Sequence, residues 1–121
     1  MRRNRGPVWI IDAEQWPRAS LRAELIERGH EAVGFVTALD ALTRLALRRE
    51  PPALAVIDLG GRPSSSKQLD VLLGAGFPVL AIGGAAAWAT ASLRARPWAA
   101  FLRRPLTVGA IADEVERLLE G

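Results

Sequence analysis

Ala53-Leu54-Ala55-Val56-Ile57-Asp58-Leu59 is the most continuously apolar stretch of the chain, and it carries a carboxylate near its end. Lying between Pro51-Pro52 and Gly60-Gly61, and β-branched at Val56 and Ile57, it predicts a strand covered on both faces, as in the middle of a parallel sheet. Val8-Trp9-Ile10-Ile11-Asp12 repeats the arrangement near the start of the chain. Two such strands side by side bring Asp12 and Asp58 into one crevice. In open α/β sheets the strand carboxyl ends at a reversal of strand order form the usual ligand site, and two acids there suit a cation or a phosphoryl group. An Asp at a strand end also closes turns on its own backbone, so each residue taken singly has a structural reading too.

Strand and helix patterns alternate outward from that pair. Pro17, a good first helical residue, predicts a helix with Leu21, Leu25 and Ile26 inward, stopped by Gly29. His30 to Val36 alternates, with Val33 and Phe35 on one face, as an edge strand does. Thr37 and Asp40 start a second helix with Ala38, Ala41, Leu42, Leu45 and Ala46 at helical spacing, ended by Pro51-Pro52. After Asp58 come the loop Gly60-Gly61-Arg62-Pro63, a short serine-capped helix with Leu69, Leu72 and Leu73, and a fourth strand from Phe77 to Ile82 ended by Gly83-Gly84. An alanine-rich helix is expected from Ala85 to Ala95 and a fifth strand from Trp98 to Leu102. The last helix carries Val108, Ile111, Ala112, Val115, Leu118 and Leu119 after Thr107. Five βα units with right-handed crossovers predict a doubly wound, flavodoxin-like α/β fold: a five-stranded parallel sheet of order 2-1-3-4-5 with five helices.

The 121 residues, 50% apolar and 24% charged, fit one globular domain over residues 7–121 behind a basic arm at 1–6. No cysteine is present, which excludes disulfides and thiolate metal sites, and the single histidine, His30, argues against zinc. The net charge of +3 belongs to the arm: setting aside Arg2, Arg3 and Arg5 leaves 13 basic side chains against 13 acidic ones. So few charges to neutralise phosphates give no reason to expect a nucleic-acid partner. No apolar run approaches the roughly 20 residues of a membrane span, and the arginines are not followed by a signal-peptide core. The expectation is a soluble, cytoplasmic domain with no membrane partner.

Four landmarks in order, Ile10-Ile11-Asp12, Val56-Ile57-Asp58-Leu59, Pro78-Val79-Leu80-Ala81-Ile82 and Phe101-Leu102-Arg103-Arg104-Pro105, give the chain a resemblance to the receiver domain of bacterial response regulators, from about Pro7 to Leu119. That family accepts a phosphoryl group from a histidine kinase in two-component signalling. The resemblance implies Asp58 as phosphoacceptor, Asp12 as one member of an acidic pair, the Gly60 carbonyl as a backbone metal ligand and Phe101 as the aromatic that responds to activation. It implies Mg²⁺ held by Asp12, Asp58 and Gly60, and a histidine kinase or output protein as partner, with a homodimer among the allowed assemblies. The chemistry asks for these parts: a carboxylate nucleophile, a cation to neutralise the incoming oxygens, and a hydroxyl and a positive side chain on the transferred group.

The chain departs from the family's pattern at Ala13 in place of a second acid, Gly83 in place of Thr or Ser, and Arg104 in place of lysine, with Pro63 one position late. Mg²⁺ commonly manages with one or two carboxylates, so the loss at Ala13 predicts weak rather than absent binding. Glu14 lies two residues on and need not point into the crevice. Without a hydroxyl at Gly83 nothing is pulled toward a phosphoryl oxygen, and Arg104 keeps the charge on a longer planar head as the phosphate contact. These losses predict a degenerate, phosphorylation-independent interaction module with no enzymatic activity. The alternatives are a Mg²⁺-dependent phosphoryl acceptor at Asp58 and a small-anion binder at Gly83-Gly84. Trp9 and Trp98 read as core, His30 as a turn residue, and Trp16 and Trp88 as candidates for an exposed patch. Arg94, Arg96, Arg103 and Arg104 are placed to gather near the fourth and fifth units.

Overall fold

The computed structural model describes residues 6–60 and 64–121, so Arg2, Arg3 and Arg5 of the arm and Gly61-Arg62-Pro63 of the loop lie outside the described residues. Five strands, β1 (Val8–Ile11), β2 (Ala32–Phe35), β3 (Leu54–Asp58), β4 (Val79–Gly83) and β5 (Ala100–Arg103), pair in parallel in the order β2-β1-β3-β4-β5. The expected order is met, and β1 and β3 are neighbours. Helices α1 (Gln15–Glu27), α2 (Ala38–Arg48), α3 (Ser66–Leu73), α4 (Ala85–Ala89), α5 (Ala91–Arg94) and α6 (Val108–Glu120) connect and follow the strands.

Side-chain alternation along the three inner strands divides the core into two layers. Trp9, Ile11, Ala55, Ile57, Val79 and Ala81 face α2, α3 and α4, where they meet Ala38, Ala41, Leu69, Leu72 and Ala87. Val8, Ile10, Leu54, Val56, Leu80 and Ile82 face α1 and α6, against Leu21, Leu25, Ile111, Ala112 and Val115. Both faces are covered, which is why β1, β3 and β4 read as continuous apolar runs. Leu25 and Leu72 are wholly buried, and truncating either to alanine is expected to cost about 2–5 kcal/mol.

Three local expectations are corrected. The fourth helical segment is two short helices, giving six rather than five. Thr90 breaks it with an extended ψ of 107° and donates its hydroxyl to the Ala86 carbonyl at 2.9 Å. Ala87 is the one residue of either helix that is buried, so little packing enforces continuity. α1 begins at Gln15, with Pro17 its third residue, where the missing N–H belongs to the first turn's unpaired donors in any case. Ile26 on α1 and Ala46 on α2 are exposed rather than inward. Strand bounds differ by one or two residues, and β5 begins at Ala100, after Trp98.

Candidate functional site

Asp12 follows the last residue of β1, and Asp58 is the last residue of β3. The two strands are in register, Ile11 opposite Ile57, so both carboxylates emerge at the same end of the sheet beside the reversal of strand order. They line one cleft of about 390 Å³ with Glu14, Pro17, Gly60, Gly84 and Arg104. Glu14, whose orientation the sequence left open, is among the lining residues. Ala13 is exposed.

Each carboxylate is tied to the backbone two residues ahead of it. The Glu14 N–H donates to Asp12 Oδ1 at 2.9 Å, and the Gly60 N–H donates to Asp58 Oδ1 at 2.8 Å. These are the turn bonds that a strand-end Asp makes, and here they hold both side chains in the cleft. Arg18 adds a further restraint, donating from Nη1 to the Asp12 carbonyl at 2.7 Å.

Arg104 closes the other side of Asp58. It is the first residue past β5, and its N–H donates to the Gly83 carbonyl at 2.9 Å, extending the β4–β5 ladder by one bond. Its side chain crosses the cleft and donates to Asp58 Oδ2 from Nη2 at 2.5 Å and from Nε at 3.1 Å. Both oxygens of Asp58 therefore have partners within the chain. The Asp58 side chain is 13% exposed, which places the pair where its attraction is less screened than on an open surface.

Asp12 is 8% exposed, the one polar or charged residue among the described residues that is buried. Burial pushes its carboxyl above the ordinary value. The Glu14 N–H opposes that shift, the Asp58 charge adds to it, Arg104 offsets it, and Glu14 raises it slightly further. Among the described residues no group of three or more His, Cys, Asp or Glu side chains is placed to hold a metal ion.

Comparison with solved structures yields 189 matching chains. The receiver domain of NtrX from Brucella abortus is 26% identical, with a TM-score of 0.76 over 93% of this chain and 98% of that one. A response-regulator receiver domain from Clostridium thermocellum is 14% identical, with a TM-score of 0.77 over 96% and 95%. A CheY-like receiver protein from Methanospirillum hungatei is 16% identical, with a TM-score of 0.77 over 95% and 94%. This is the response-regulator receiver fold. No family model and no curated protein matches the sequence.

On this receiver fold the remaining sequence candidates separate. Phe101 is half-buried on β5, edge-to-face with Trp88 at 5.0 Å and with Trp98 at 6.2 Å. Trp9 is core, as expected, whereas Trp98 is half-buried and donates its indole N–H to the Leu93 carbonyl at 2.6 Å. Trp16 is 82% exposed at the start of α1, and Trp88 is half-buried against Phe101. Of the four arginines, Arg94 and Arg103 are exposed and the other two are engaged within the chain. Arg104 is on Asp58, and Arg96 donates to Asp70 of α3 at 3.0 Å and to the Ser92 carbonyl at 2.9 Å. Gly84 opens into a cleft with three carboxylates, a poor setting for an anion.

Sequence reasoning missed one cluster entirely. His30, read as a turn residue, places Nε2 2.9 Å from Glu116 on α6. Arg28 bonds Glu24, Asp113 and Glu116 at 2.8–2.9 Å, pinning the end of α1 to α6. Two of its partners lie more than eighty residues away, and no local pattern announces them.

Proposed function

We propose that this domain is a receiver-like module of two-component signalling that works as a protein-interaction element independently of phosphorylation at Asp58. The observation that carries this reading is the engagement of both Asp58 oxygens, Oδ1 by the Gly60 N–H and Oδ2 by two N–H groups of Arg104. A carboxylate attacks phosphorus with an oxygen lone pair, and a guanidinium fork on that oxygen lowers its nucleophilicity and blocks its approach. Mg²⁺ faces the same obstacle. Asp12 and Asp58 would be the carboxylates to hold it, Arg104 would compete for Asp58, and Ala13 offers no carboxylate in compensation, so this donor set supports weak binding. The partner, on this reading, is a signalling protein, either a histidine kinase or an output protein.

The competing reading is a Mg²⁺-dependent phosphoryl acceptor. It draws on one observation, that Asp12, Asp58 and Arg104 share one cleft of receiver geometry. Incubation with a small phosphodonor and Mg²⁺, followed by intact-mass measurement, separates the two. The expected result is no phosphoryl adduct. A stoichiometric adduct that disappears in Asp58→Asn establishes the competing reading instead.

A further inference from the structure

Trp16, Ala19, Ala23 and Ile26 follow one another on α1 at intervals of three, four and three residues. All four are exposed, Trp16 at 82% and Ile26 at 45%, while Leu21 and Leu25 on the opposite side of the helix are buried in the core. α1 therefore carries two apolar stripes, and the core takes up one of them. The other has the spacing of positions a and d in a coiled-coil seam, which keeps a stripe in line along a helix of 3.6 residues per turn. Its two flanks differ in charge. Arg22 stands on one side, at the g position, and Glu27 on the other, at the e position five residues on. Arg22 donates from Nε to the Ala32 carbonyl at 2.9 Å, and among the described residues neither its two Nη groups nor the Glu27 carboxylate has a partner.

When two such helices run parallel, the g residue of one meets the e residue of the other five positions on. The helix that complements this stripe needs an acid where Arg22 arrives and a base where Glu27 arrives, and α1 itself is such a helix. A two-fold axis along α1 sets Arg22 opposite Glu27 of the partner subunit twice, and Gln15 opposite Ser20 of the partner subunit one heptad earlier. An antiparallel pair would set basic flank on basic flank and acidic on acidic, which like-charge repulsion opposes. We propose that α1 is a homodimer seam: two copies of this chain pair in parallel through it, each of Trp16, Ala19, Ala23 and Ile26 packing against its own counterpart, with an Arg22–Glu27 contact on both flanks. The alanines let the helices approach closely, and Trp16 and Ile26 supply most of the apolar area that is buried. The helix has 13 residues, less than two heptads, so the dimer is weak and depends on concentration. This inference goes beyond the interaction role proposed above and stands whether or not Asp58 accepts phosphate.

Sedimentation velocity over a concentration series reaching about 1 mM tests it. The expected result is a weight-average coefficient that rises from monomer toward dimer. Trp16→Ser, a truncation at an exposed site, should hold the chain monomeric with little change in Tm. Arg22→Glu and Glu27→Arg should each weaken association, and an equal mixture of the two variants should restore it, because in the mixed dimer both flanks again join an acid to a base. The chain has no cysteine, so a single introduced thiol reads the geometry. Ala19→Cys should oxidise to a disulfide-linked dimer, since a parallel seam brings residue 19 beside its own copy, whereas Ala46→Cys on the exposed side of α2 should stay monomeric. A monomer throughout the series overturns the proposal and leaves the stripe to a helix of a different protein. So does a dimer that Trp16→Ser leaves intact, a mixture no more associated than either variant alone, or cross-linking of Ala46→Cys as fast as that of Ala19→Cys. If Arg22→Glu does not fold, Trp16→Ser and the cross-linking pair decide.

Discussion

Arg104 lays two N–H groups on a single oxygen of Asp58, and the Gly60 N–H takes the other. The pair joins the end of β3 to the residue after β5, across β4, so it ties the cleft side of the sheet together as well as setting the charge of the site. Arg104→Met removes the cation and leaves a mostly buried carboxylate with one backbone donor. A loss of about 1–3 kcal/mol is expected from that unpaired group. Adding Asp58→Asn to Arg104→Met should recover most of the loss, because the uncompensated charge is gone. Urea denaturation of the two single variants and the double variant reads the coupling, and strictly additive losses would show that the contact contributes nothing.

Asp12 gives a pH dependence of definite sign. Its folded carboxyl is raised above the ordinary 3.8, first by burial and further by the Asp58 charge, against the opposing Glu14 N–H and Arg104. The folded chain therefore holds this proton more tightly than the unfolded one. Its contribution to stability is complete below the ordinary value and is lost as pH rises through the folded value. Asp12→Asn keeps an oxygen for the Glu14 N–H and carries no charge, so it should be more stable than wild type at neutral pH. That advantage should shrink toward acid. Melting curves at a series of pH values, in the presence of a chelator, check both statements, and an advantage that grows on acidification would contradict the sign.

The Arg28 cluster predicts the opposite slope. Glu116 is lowered below its ordinary 4.5, most by His30 and then by Arg28. Its contribution is present above that ordinary value and is lost as pH falls through the folded value. Glu116→Gln should therefore flatten part of the acid limb of the stability profile, and the variant should approach wild type only at strongly acidic pH. An unchanged acid limb would place the His30–Glu116 contact outside the stability of the α1–α6 junction.

The strand pattern and the position of Asp12 beside Asp58 were legible in the sequence because both follow from local rules. Buried strands read as apolar runs, and a parallel sheet with right-handed crossovers leaves few orders to choose among. What escaped depended on distance in the chain. The Arg104 fork on Asp58 spans 46 residues and the His30–Glu116 contact 86, and neither leaves a periodicity. The break at Thr90 escaped for another reason: alanine has the highest helix propensity, and the one buried residue along Ala85 to Arg94, Ala87, gives little packing to hold a continuous helix. The sequence shows Gly83 only as the end of a strand that lacks a hydroxyl. Its packing beneath Phe101 becomes visible only once β4, α4 and β5 are assembled.

That packing decides which substitutions can restore phosphoryl transfer. Ala13→Asp supplies a further carboxylate for Mg²⁺ beside the cleft, and Arg104→Lys replaces the planar fork on Asp58 with a compact cation that has fewer ways to hold one oxygen. Both act on one bound phosphoryl group, so the double variant should gain reactivity toward a small phosphodonor beyond the product of the two single gains. Gly83→Thr, which would add the missing hydroxyl, should subtract instead. Its Cβ meets Ala87 at 2.8 Å and the Phe101 ring at 3.1 Å, and a branched side chain needs more room than a Cβ alone, so overpacking of about 1–3 kcal/mol is expected. The cost comes from crowding, since Gly83 has no positive φ to lose. Intact-mass time courses with Mg²⁺ should therefore rank the Ala13→Asp/Arg104→Lys variant above wild type and above the triple variant. Wild type reacting at Asp58 as readily as the double variant would mean that neither the missing acid nor the lysine is needed, and the guanidinium on Asp58 would then have to be an open gate rather than a closed one.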